Sequence, residues 1–125
     1  MFFACSEEHK NDIAAAKAAK EYYDSLLAGN YAYFVRGMYL ADTIPDGYRE
    51  ELEANAKIFV ERVKEEHHGI REVRIMNCVN DTIHIEKTDK SVHASEAFLV
   101  FCFGDSLNEE VVVPMVFHKN RWLMR

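Results

Sequence analysis

Glu65-Glu66-His67-His68-Gly69-Ile70-Arg71-Glu72-Val73-Arg74-Ile75 is the stretch in which the hydrophobic rhythm of the chain changes. Upstream of Gly69 the apolar residues recur every three or four positions. Downstream they alternate, and β-branched and aromatic residues take over. A 3.6-residue period buries one stripe of a helix, whereas a 2-residue period buries one face of a strand, so helices give way to a sheet at Gly69. The expected fold class is α+β, with N-terminal helices packed on a curved antiparallel sheet of four to five strands.

Upstream, Tyr48, Leu52, Ala56, Phe59 and Val63 recur at spacings of four, four, three and four, which predicts a helix over about 47–67. The intervening positions are a mixed-charge solvent face that includes Glu50, Lys57, Glu61 and Arg62. His67-His68 sit at the carbonyl end, where cations are favoured, before Gly69 closes the helix. Asp42-Thr43-Ile44-Pro45-Asp46-Gly47 breaks the chain ahead of it. Residues 13–28 are rich in strong helix formers and keep Ala15, Ala19, Tyr22 and Leu26 on one face, with Asp12 as N-cap and Gly29-Asn30 as the stop. Asn30 then caps a short aromatic helix, Tyr31-Ala32-Tyr33-Phe34-Val35-Arg36, which Gly37 interrupts.

Downstream, the punctuation separates strands over 70–78, 82–87, 92–103, 109–118 and 121–124, with Val79-Asn80-Asp81 as the first turn. Loops this short cannot carry a parallel crossover, so the sheet is antiparallel. Residues 97–103 and 111–117 are apolar on both faces. Helices can cover one face; the other calls for curvature or a second subunit, so a homodimer through the sheet is expected. Pro114 cannot donate to a ladder and belongs at a bulge or an unpaired edge.

A chain of 125 residues holds one core and is too short for two, giving an N-terminal tail over 1–11 and one domain over 12–125. Its 49% hydrophobic and 29% charged residues are those of a folded chain rather than a disordered one. The net charge of -6 and the lack of a basic patch argue against nucleic acid, because phosphate recognition needs clustered cations. Cys5, Cys78 and Cys102 have no spacing that would hold zinc, so no metal and no other cofactor is expected. A meander would set Cys78 and Cys102 two strands apart, roughly 9–10 Å, beyond the reach of a disulfide. Both are expected to be free and largely buried.

Met1-Phe2-Phe3-Ala4-Cys5 is apolar and switches abruptly to Ser6-Glu7-Glu8-His9-Lys10-Asn11-Asp12. This edge resembles the end of a bacterial lipoprotein signal peptide, in which a small residue precedes the cysteine that is lipidated. The resemblance implies a lipid on Cys5 and attachment to the cell envelope, on its periplasmic or surface face. The alternative is a native start at Met1 with an incidental cysteine, which places the protein in the cytoplasm. No other apolar run approaches 18 residues, so the lipid would be the attachment to the membrane.

The order helix, short helix, helix, then a long sheet ending in Trp122-Leu123 resembles the nuclear-transport-factor-2-like superfamily, with its cone-shaped cystatin-like α+β fold. Leu26-Leu27-Ala28-Gly29-Asn30-Tyr31 resembles that family's Leu-x-x-Gly-Asp-Tyr link between its first two helices. Lys119-Asn120-Arg121-Trp122-Leu123 resembles its closing Asp-Gly-x-Trp-x-Ile strand. Within the superfamily the chain is most similar to small uncharacterised bacterial envelope lipoproteins of the lumazine-binding-like or unknown-function type. The resemblance covers about residues 12–124 and implies a fold and a cone; no catalytic residue carries over from it.

Three polar residues on different strands, His84, Glu96 and His118, form the best candidate for a general base oriented by a carboxylate. The competing reading places them on the solvated rim. His67 and His68 diverge by roughly 100° on a helix and cannot chelate one ion by themselves. Rings at Tyr22, Tyr23, Tyr31, Tyr33, Phe34, Tyr39 and Tyr48, with Met38, Met115 and Trp122, either line a cleft for a greasy ligand or form the helix–sheet core. In the first case Tyr22, Phe34, Tyr39, Met115 and Trp122 are the ligand-facing set. The functional expectation is a non-catalytic binding or interaction module of the bacterial envelope, holding a small apolar ligand or a protein partner in its cone. The alternative is a small isomerase, dehydratase or cyclase acting on a hydrophobic substrate.

Overall fold

The computed structural model describes the backbone of residues 2–40, 43–85 and 90–125, and the side chains of 13–40, 43–81 and 93–125. Helices α1 (Phe2–Leu27), α2 (Tyr31–Arg36) and α3 (Asp46–His67) precede strands β1 (Ile70–Ile85), β2 (Lys90–Phe103), β3 (Asn108–His118) and β4 (Arg121–Met124). The strands pair in sequence order, every neighbour antiparallel. The change of rhythm at Gly69 is the change of secondary structure, and the fold class is α+β, helices on an antiparallel sheet.

Two boundaries differ from the sequence reading. Helix α1 begins at Phe2 rather than after Asp12, because Glu7, Glu8 and Lys10 are themselves helix formers and nothing between them and Ile13 stops the turn. The separate strands expected over 70–78 and 82–87 are one strand, β1, whose pairing runs unbroken through Val79, Asn80 and Asp81 opposite Glu96, Ser95 and Ala94. A tight hairpin there would need positive φ, and among the described residues the non-glycine positive φ angles fall at His68, Ser106, Lys119 and Asn120. The Ser95 hydroxyl donates to the Val79 carbonyl at 3.1 Å, tying the two strands where a turn was expected. Register shifts between Ile70 and Glu72 and between Ile75 and Asn77 bend β1 instead.

Ala15, Ala16 and Ala19 are fully buried, and their lack of bulk lets α1 lie close on the sheet. Beneath them sit Val73, Ala97, Leu99, Phe101, Phe103, Val113 and Met115, one face of the alternating strands. Leu26, Ala56 and Val60 form a smaller cluster between α1 and α3. On the other sheet face Ala94, Val116 and Leu123 make a buried cross-strand row, Phe98 and Val100 are half-buried, and Val79 and Val112 are exposed. Cys78 is half-buried and Cys102 buried, and both are free. They stand on neighbouring strands, not two apart, and are separated along them: Cys78 faces Ala97, and Cys102 faces Glu72.

The helix-to-sheet junction is closed by His68 in the left-handed region (φ 60°), one residue before the glycine expected to do so; Gly69 follows at φ 85°. The His67 ring stacks on Phe103 at 4.2 Å, and its Nδ1 lies 2.8 Å from Asp105 Oδ2. That hydrogen bond, helped by the Leu107 N–H and opposed by partial burial, holds the Asp105 carboxyl below its ordinary value of 3.8. A carboxyl with a lowered folded pKa stabilises the fold above its unfolded pKa, and the contribution is lost as pH falls through the folded value. Asp105→Asn should therefore melt earlier than the parent at neutral pH, with the gap narrowing below about pH 3.8 in melts followed by circular dichroism. A gap that stays constant through that window would refute the assignment.

Candidate functional site

The chain leaving α2 is stapled to the end of the sheet. Asn30 Oδ1 accepts from the Tyr33 N–H at 3.1 Å and starts α2. The Gly37 carbonyl accepts from Met124 N at 2.7 Å, and Tyr39 N donates to the Met124 carbonyl at 2.6 Å. The Tyr22 hydroxyl donates to the Trp122 carbonyl at 2.7 Å, fixing α1 to the same strand. Strand β4 covers only Met115 to His118 of β3, so the edge from Asn108 to Val113 carries no strand on that side. Pro114 sits at this transition: its carbonyl accepts from Arg125 N at 3.0 Å, and its ring nitrogen, facing the same way, has no donor to leave unpaired.

A cavity of about 490 Å³ opens at this corner. It is lined by Tyr23 of α1, Phe34 of α2 and, from the segment after α2, Met38, Tyr39, Leu40 and Ile44. Tyr48 and Leu52 of α3, Val112, Val113 and Pro114 of β3, and Met124 and Arg125 complete the lining. The apolar stripe of α3 explains the opening: Ala56 and Val63 are buried, Leu52 and Phe59 half-buried, and Tyr48 exposed. The helix packs by its C-terminal turns and stands off the sheet at its N-terminal ones. Tyr23 packs edge-on against Phe34 at 5.2 Å and tilted on Phe101 at 5.2 Å. Burial pushes its hydroxyl above the ordinary tyrosine pKa, so it remains protonated, and it has no hydrogen-bond partner among the described residues. Tyr33, away from the cavity, donates to Glu21 at 2.6 Å, which with burial pushes it up to about 12.

Of the ligand-facing residues read from sequence, Phe34 and Tyr39 line the cavity. Tyr22 and Met115 are buried in the main core, and Trp122 packs on Phe117 at 5.3 Å. Tyr23, Tyr48 and Met38, from the wider aromatic and methionine set, do line it. Leu40, Ile44, Met124 and Arg125 carried no signal, and Leu52, Val112 and Val113 were legible only as apolar helix or strand positions, because their convergence depends on where β4 ends. His118 stands edge-on to Tyr39 at 5.2 Å. Glu96 is exposed and, next to buried Ser95 and Ala97, points to the face away from the helices. Neither residue lines the cavity. The side chains of His84 and Cys5 lie outside the described residues. Among the described residues, no three His, Cys, Asp or Glu side chains group as a metal site, and no helix is long and apolar enough to cross a membrane.

No protein-family model and no curated protein matches the sequence. In three dimensions the chain is similar to a proposed NTF2-like transpeptidase from Campylobacter jejuni, with a TM-score of 0.59, 14% identity, and coverage of 85% of this chain and 92% of that one. The helices, the strand order and this match together show that the chain has the nuclear-transport-factor-2-like fold.

Proposed function

We propose that the chain is a non-catalytic binding module that holds a small apolar molecule in the cavity between α2, α3 and the free edge of β3. The observation that carries this reading is the cavity itself, whose size lies in the range of small-molecule sites and whose walls are aliphatic and aromatic. The isomerase, dehydratase or cyclase alternative has less support, since Glu96 and His118 stand off the cavity. A series of n-alkanols tests the proposal. Affinity should rise roughly fourfold per added methylene, about 0.8 kcal/mol each, until the cavity is full. Leu52→Trp, which narrows it, should weaken binding and shorten the longest alkanol that gains affinity, while the melting transition remains cooperative. A flat series, or binding unaffected by Leu52→Trp, would count against the cavity as the site.

The same reading places the module at the bacterial envelope through a lipid on Cys5, supported by the Ala4-Cys5-Ser6-Glu7 edge. Incorporation of labelled palmitate that disappears in Cys5→Ser would support it; unlabelled protein would remove the tether. It also includes a homodimer through the outer sheet face, supported by Val79, 46% exposed there, with Phe98 and Val100 half-buried on the same face. A monomeric mass by light scattering would remove the dimer.

A further inference from the structure

We infer that the cavity selects an anionic amphiphile, an apolar chain with a carboxylate head that Arg125 pairs and the Tyr23 hydroxyl hydrogen-bonds. This inference rests on the binding role proposed above and names the chemistry of the occupant.

Among the described residues Arg125 is the charged residue of the lining, and no carboxylate side chain shares the cavity with it. Its backbone is fixed on the β3 edge by the 3.0 Å bond to the Pro114 carbonyl, while its guanidinium makes no ion pair among the described residues. Arg125 is an exposed residue of the lining, and a guanidinium is a fork of donors matched to a planar carboxylate. Glu109 and Glu110 are exposed on β3 upstream of Val112, but neither lines the cavity.

Tyr23 supplies the second contact. Its ring is held between Phe34 and Phe101, so the hydroxyl is presented in a set direction. It makes no hydrogen bond to the protein among the described residues, so it is available to donate to a bound acceptor. A hydroxyl donates more strongly to an anionic acceptor than to a neutral one. An ammonium head offers neither group an acceptor and sets like charge beside Arg125.

The test compares decanoate, decanol and decylammonium on the purified protein by calorimetry, all below their aggregation limits. Decanoate should bind about tenfold tighter than decanol or better, and decylammonium weakest. In Arg125→Gln the acid-to-alcohol ratio should fall to near one; in Tyr23→Phe it should fall roughly threefold. Equal binding of acid and alcohol, or a ratio untouched by Arg125→Gln, would overturn the anionic head while leaving apolar binding in place. Failure of all three probes to bind would overturn both the head assignment and the binding module.

Discussion

Gly37→Ala should destabilise the protein by about 2–3 kcal/mol and deform the cavity. The backbone of Gly37 is ordinary, φ −77°, so the cost is steric: a β-carbon there would sit 2.5 Å from the Tyr22 ring. Tyr22 cannot swing aside without surrendering a buried position and its 2.7 Å bond to the Trp122 carbonyl. The alternative, moving Gly37, breaks the bond from Met124 N that seats α2 on β4. Urea unfolding measures the loss as a lower midpoint with an unchanged slope. The double variant with Tyr22→Leu should cost less than the sum of the two single changes by about 1 kcal/mol or more. Strict additivity would show that the ring is not the obstacle.

Gly104→Ala should cost about as much, for a different reason. Its β-carbon would stand 2.4 Å from the His68 carbonyl oxygen, a backbone atom that has no rotamer to escape into. Relief requires parting the turn after β2 from the end of α3, which loses the bonds from Gly104 N to the Gly69 carbonyl (2.9 Å) and from Asp105 N to the His67 carbonyl (3.0 Å). A loss of about 2–3 kcal/mol lowers the melting temperature by on the order of 10 °C in a domain of this size. Gly47→Ala is the matched control. It lies in the first turn of α3 with nothing within 4 Å, so alanine there should be neutral or raise stability by about 0.5–1 kcal/mol. Equal effects at the two glycines would refute the steric account.

Local chemistry was readable wherever one segment carried it whole. The stripe Ala15, Ala19, Tyr22 and Leu26 is buried as its spacing implies, Asn30 caps α2, and Pro114 stands where no N–H is required. The reading failed where pairing overrode local signals. Val79-Asn80-Asp81 looks like a turn, yet β2 offers a continuous partner, and the ladder wins over turn propensity. Tyr48 belongs to the apolar stripe of α3 but is half exposed, because periodicity gives the direction of a side chain and not the distance to what it faces.

The sequence by itself determined where helix ends and sheet begins, since that boundary is a change of hydrophobic period and each period can bury its apolar residues in only one kind of element. Only the tertiary structure decided that there is a cavity and what lines it. That outcome depends on three lengths meeting at one corner: a four-residue β4, an eleven-residue β3, and an α2 exit pinned to Met124. Residues as distant in sequence as Tyr23, Leu52, Val112 and Arg125 become neighbours through that meeting, and no local pattern encodes it.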